Sequence, residues 1–72
     1  ALDEETASNV EAAVDAMNGV QNPSLQAKLD EAQANLDFAH GDESGGFHNH
    51  KYTMALLNDA NEKAKAILAT KP

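Results

Sequence analysis

Cysteine is absent from the 72-residue chain. Disulfides, zinc–thiolate sites, iron–sulfur ligation and thiol nucleophiles are therefore excluded within it. Arginine is also absent; the cations are five lysines against twelve carboxylates, a net charge of −7. That balance argues against nucleic-acid binding, which needs a basic footprint. No run of about 18 apolar residues occurs, so no membrane span is expected. No basic segment precedes an apolar one, so no uncleaved signal peptide is expected either.

Alanine is what the chain has in quantity. Thirty residues are hydrophobic (42%) and 14 of these are alanine, which leaves 16 larger apolar side chains. Alanine favours helix strongly but buries little area. At 7.6 kDa the chain holds a single small domain. A domain of this size buries only about 60% of its unfolded surface. A thin core is expected, completed by a partner chain or a second copy. Charge is uneven: residues 1–43 carry ten acids and one lysine (−9), and residues 44–72 carry two acids and four lysines (+2). Two solvated faces that attract weakly would account for this. An acidic docking surface for a basic partner is the functional reading.

Periodicity predicts three helices, over about 3–18, 23–39 and 50–69. Asp3, Glu4 and Glu5 suit the positive end of the first helix dipole. Val10, Val14 and Met17 form its stripe, with Thr6 and Ala13 alongside. Asn18 and Gly19 form a stop signal. Asn22 is placed to cap the second helix and Pro23 to open it. Leu25, Leu29, Ala32, Leu36 and Ala39 line one face, with Phe38 off that stripe as a second contact surface. Asn49 is placed to cap the third helix. Two apolar lines run along it, Met54, Leu57, Ala64 and Leu68 beside Tyr52, Leu56, Ala60 and Ile67, a wide face able to meet more than one neighbour. Lys63, Lys65 and Lys71 fall toward its negative end. The fold class is thus all-α, two to three helices in an antiparallel bundle. An isolated domain is expected to expose Leu56, Ile67 or Phe38 and therefore to associate.

Residues 40–49 read as a loop, with three glycines and no periodicity. Three histidines, His40, His48 and His50, lie within eleven residues. His40 and His48 with Asp42 or Glu43 could ligate zinc, although no H-x-x-x-H spacing supports it. Solvent-exposed or capping histidines are the plainer account. Ser44 near His40 or His48 is a lone pairing without an oxyanion site. Gly41, Gly45 and Gly46 lack the lysine and hydroxyl of a phosphate loop. No catalytic constellation is present in this chain alone.

Three strings carry a family resemblance: Glu31-Ala32-Gln33-Ala34-Asn35-Leu36-Asp37-Phe38, then Asp42-Glu43-Ser44-Gly45-Gly46-Phe47-His48-Asn49-His50, then Tyr52-Thr53-Met54-Ala55-Leu56-Leu57-Asn58-Asp59-Ala60. Together they resemble the C-terminal helical region of multihaem c-type cytochromes, in the ammonia-forming nitrite reductase and octahaem hydroxylamine oxidoreductase-like group. There, a loop of the form D-x-S-x-G-x-H-N-P leads into a long helix beginning Y-x-x-x-L-L-x-x-A. The resemblance covers residues 29–68; residues 1–28 have no counterpart in it.

The resemblance implies that His48 is a distal axial ligand to haem iron and that Asn49 caps the long helix. It implies haem c held by another chain or by a segment missing from this one, and a periplasmic or extracellular location. Bis-histidine ligation suits electron transfer because no axial position stays open. Two departures stand out. His50 occupies the place of the usual proline, and the C-x-x-C-H haem-attachment motif is absent, so no haem is covalently attached here. The chain could be the haem-free end of a longer cytochrome, a subunit lending a ligand in trans, or a helical module that has lost the haem role. The alternative function is a non-redox helical module that dimerises or docks through its Ala-rich apolar faces. The expected partner is correspondingly a cytochrome subunit or a second copy.

Overall fold

The computed structural model describes residues 2–44 and 50–70, with side chains for 2–41 and 51–70. These residues form α1 (Leu2–Met17), α2 (Pro23–Ser44) and α3 (His50–Thr70). No strand occurs among them.

Each boundary of the first connection has a local cause. Asp3, Glu4 and Glu5 occupy the first turn of α1. After Met17 the chain closes through Asn18 N–H to Asp15 C=O at 3.2 Å and Val20 N–H to Met17 C=O at 3.0 Å. Gly19 takes φ +79° within this turn, the left-handed region that other residues enter at a cost. Asn22 then caps α2: its side-chain oxygen accepts from Leu25 N–H at 3.2 Å. Its carbonyl accepts from Gln26 N–H at 2.9 Å. Pro23 fills the first helical position, where a missing N–H is harmless.

The second boundary differs from the sequence expectation. α2 does not stop before Gly41 but continues to Ser44. Gly41 has no positive φ. A helical glycine costs about 1 kcal/mol relative to alanine. Ala39, fully buried, and His40, tied to α1, hold the chain helical on its N-terminal side. The expected loop over 40–49 is thus helical through Ser44, and positions 45–49 lie outside the described residues.

Side-chain pairs fix the topology. On α2 and α3, Glu31 meets Lys63 and Asn35 meets Asp59, so numbers fall on one helix as they rise on the other. These helices are antiparallel. Asp3 meets His40 at one end of α1 and α2, and Met17 shares a groove with Gln26 and Leu29 at the other. These two are antiparallel as well. Thr6 meets Leu57 and Asn9 meets Asn61, so α1 and α3 run parallel. The bundle is up-down-up. α3 packs closely on both other helices, while α1 and α2 touch each other least.

The buried seams are Thr6, Val10, Ala13, Met17 on α1; Leu25, Leu29, Ala32, Ala39 on α2; and Thr53, Leu57, Ala60, Ala64, Ile67 on α3. Leu36, partly buried, completes the α2 row. All three alternate steps of four and three, the 3.5-residue repeat of a coiled-coil seam. Burying Leu29, Leu57 or Ile67 contributes about 1.5–3 kcal/mol each, and an alanine methyl only about 0.8. The five buried alanines therefore let the helices approach more than they supply area. The α3 seam runs between the two lines expected from sequence. Of the three residues offered as candidates for exposure, Leu56, Ile67 or Phe38, Phe38 is exposed and Ile67 is fully buried; Tyr52 is half exposed.

Candidate functional site

His48, expected as the axial ligand, lies outside the described residues, as do Gly45, Gly46, Phe47 and Asn49. The elements on either side of that segment are the C-terminal end of α2 and the N-terminal end of α3. His50 is the first residue of α3. The polar positions Asp42, Glu43 and Ser44 fall in the last turn of α2 rather than in a loop. Among the described residues no group of three or more histidines and carboxylates is placed to hold a metal ion.

His40 is the one histidine whose side chain is described. Its Nε2 lies 2.8 Å from Asp3 Oδ1, both groups remaining accessible to water. The imidazole N–H donates to the carboxylate, and the pair ties the start of α1 to the end of α2. Phe38 and Tyr52 stand at the same end of the bundle. Phe38 is 63% exposed and Tyr52 is 50% exposed.

These two rings belong to the outer seam between α2 and α3. On α2 the seam runs Glu31, Asn35, Phe38; on α3 it runs Lys63, Asp59, Leu56, Tyr52. The antiparallel register sets Glu31 against Lys63, Asn35 against Asp59 and Phe38 against Leu56. The first half is polar. Lys63 Nζ lies 2.6 Å from Asp59 Oδ2 and 3.4 Å from Glu31 Oε2. Asn35 Nδ2 donates to the same Asp59 oxygen. The Lys63 pKa is raised above its ordinary value, chiefly by the bond to Asp59 and then by Glu31, against a partial desolvation that lowers it. The second half is apolar and opens outward at Phe38 and Tyr52.

A second polar cluster joins α1 to α3. Asn61 is 5% exposed. It accepts from Asn9 Nδ2 at 2.6 Å and donates to Glu5 Oε2 at 2.7 Å. Lys65 Nζ stands 3.7 Å from the same Glu5 oxygen. Thr6 Oγ1, fully buried, donates to Leu57 C=O at 3.3 Å. No buried side-chain N or O is left without a partner among the described residues. Periodicity did not single out Asn61. Its signal is positional: it stands four residues after Leu57 and next to Ala60, at the flank of the seam. Lys63 and Lys65, expected to serve the helix dipole, instead pair with acids of α2 and α1.

Between the end of α1 and the start of α2 lies an open groove of about 500 Å³, lined by Val14, Met17, Val20, Gln26 and Leu29 among others. It is too open to enclose a ligand. No helix among the described residues is long and apolar enough to cross a membrane. No protein-family model, curated protein or solved structure matches the chain.

Proposed function

We propose that the chain is a helical component of, or partner to, a multihaem c-type cytochrome, with His48 as an axial ligand to a haem held by another chain or by a further segment. The support that carries this reading is the string Asp42 to Asn49, with the helix that follows, which resembles the family at the histidine itself. The surroundings suit it. The segment holding His48 joins the antiparallel pair α2 and α3, at the end where Phe38 and Tyr52 present aromatic surface. Exposed aromatic rings are suited to contact with a flat apolar macrocycle. Bound haem would supply one-electron transfer. This chain would supply the imidazole of His48 as the ligand, in its neutral form. A periplasmic or extracellular location goes with this reading.

The test is substitution in the native assembly. His48→Ala should convert one haem from six-coordinate low spin toward high spin, and His50→Ala should not. Silence of both in a red assembly would contradict the ligand role.

A second reading has its own support. Among the described residues the three seams close on one another and the buried polar side chains are satisfied, as in a free-standing module. On that reading the chain is a non-redox interaction domain that docks on a partner or a second copy. The Ala-rich faces are then internal, and the contact surface is what remains exposed. A colourless, homogeneous native preparation would favour this reading over the first.

A further inference from the structure

We propose that Asn18–Gly19, in the turn between α1 and α2, is a spontaneous covalent modification site, where the folded chain loses the Asn18 side-chain amide through a succinimide and is left with aspartate or isoaspartate. This holds under either functional reading above. Both residues are exposed and lie beyond the last residue of α1. They line the open groove at that end of the bundle, so water reaches them. The N–H groups on either side are committed, Asn18 to Asp15 C=O and Val20 to Met17 C=O. Gly19 N–H between them has no partner among the described residues, and neither has the Asn18 side-chain amide. Gly19 lies at φ +79°, and a Cβ placed on it would meet nothing within 4 Å. Without that Cβ, a side chain can approach the glycine backbone closely.

The Gly19 nitrogen gives its proton to hydroxide and attacks Asn18 Cγ. The new N–Cγ bond closes the succinimide ring, the Cγ–Nδ2 bond breaks, and the nitrogen leaves as ammonia with a proton from water. Water then opens the ring. Hydrolysis at Cγ gives aspartate; hydrolysis at the main-chain carbonyl gives isoaspartate, whose backbone runs through Cβ and Cγ. The other described asparagines are protected. Asn9, Asn35, Asn58 and Asn61 lie inside helices, where the next N–H is bonded to the carbonyl four residues back. Asn22 precedes Pro23, which has no N–H to attack with. Exposure alone does not select the site, because Asn58 is exposed as well. Either product adds a carboxylate one turn after Asp15, at the negative end of the α1 dipole, where it is unfavourable. Isoaspartate also lengthens the backbone inside the turn that Val20 N–H and Met17 C=O close.

The test is ageing of the full chain at mildly alkaline pH, with one sample folded and one in urea. Peptide mapping by mass spectrometry follows each amide, and enzymatic methylation of the isoaspartate carboxyl identifies that product. In the folded sample Asn18 should lose its amide progressively while Asn9, Asn35, Asn58 and Asn61 keep theirs. The loss at Asn18 should be similar in urea, because the folded turn commits neither reacting group. Gly19→Ala and Asn18→Gln should each abolish detectable loss at position 18 over the same period. Circular dichroism checks both variants; Asn18→Gln exchanges one exposed amide for another and stays folded even if Gly19→Ala, at its positive φ, does not. The isoaspartate fraction should melt about 4–8 °C below the fresh chain, the shift that one lost turn interaction gives a domain of this size. Retention of the Asn18 amide would overturn the proposal. So would loss confined to the urea sample, equal loss at Asn58 in the folded chain, or undiminished loss in a folded Gly19→Ala. Coincident melting of the two fractions would overturn the effect on the turn.

Discussion

Single residues decide the interfaces of this bundle where alanine cannot. Asn61 is buried at the α1–α3 contact, and both ends of its amide are used, by Asn9 and Glu5. Parallel α1 and α3 could slide by one seam step with little loss, because Ala13, Ala60 and Ala64 are alike. The Asn61 network exists in one register alone, the role that a buried asparagine has in coiled coils. Asn61→Ala should lower the unfolding free energy by about 1–3 kcal/mol, since it strands two partners; urea denaturation measures this. Lys63 carries a pH prediction. Its pKa is raised in the folded state, so its contribution is fully present below the ordinary lysine value and is lost as pH rises through the folded value. Stability should therefore hold from neutral pH to about 10 and fall above it. Lys63→Met should flatten that alkaline loss, by less than about 1 kcal/mol because the pair is partly hydrated. Thermal melts of both proteins across that range provide the comparison.

At the level of elements, the turn between α1 and α2 was legible in the sequence because its chemistry is local. Asn18 and Gly19, then Asn22 and Pro23, stand where the bonds require them. Gly19→Ala should cost about 1 kcal/mol through the positive φ alone, since a Cβ there meets nothing within 4 Å. Asn22→Ala should cost a similar amount, about 1 kcal/mol, through loss of the cap. Chemical denaturation of the two variants checks both values. The end of α2 was not legible. Gly41 resembles a stop, but a contact distant in sequence, His40 with Asp3, holds its turn to α1. The α3 seam was half legible. The apolar lines contain Leu57, Ala60, Ala64 and Ile67, all of which are buried, but also Tyr52, Leu56 and Leu68, which are not; packing selects Thr53 instead, whose small side chain fits a close contact. The polar flanks, Asn61 on one side and Lys63 with Asp59 on the other, depend on which helix lies opposite. Spacing within one helix does not contain that information. The candidate site divides in the same way. Phe38 stood off its stripe in the sequence and is exposed in the fold, while its pairing with the Tyr52 side of α3 required the register.

For the whole molecule, the alanine content determines how the bundle is held. Large side chains sit toward the α1–α2 turn, where Met17, Leu25, Leu29 and Ile67 belong to one core. The opposite end is bounded by Thr6, Thr53 and the Asp3–His40 pair. Between them the alanines keep the axes close, and Ala64→Leu should force them apart. The expected loss is about 1–3 kcal/mol, with broadened melting. The same asymmetry places the aromatic strip and the α2–α3 junction together at the less apolar end. In the cytochrome reading, that end faces the haem-bearing body. The most direct measurement is absorbance of the native assembly purified through a tag on this chain. The account predicts a red complex with a Soret band, in which c-type haem is attached to another polypeptide or to a further segment of this one. A colourless, homogeneous preparation would contradict it.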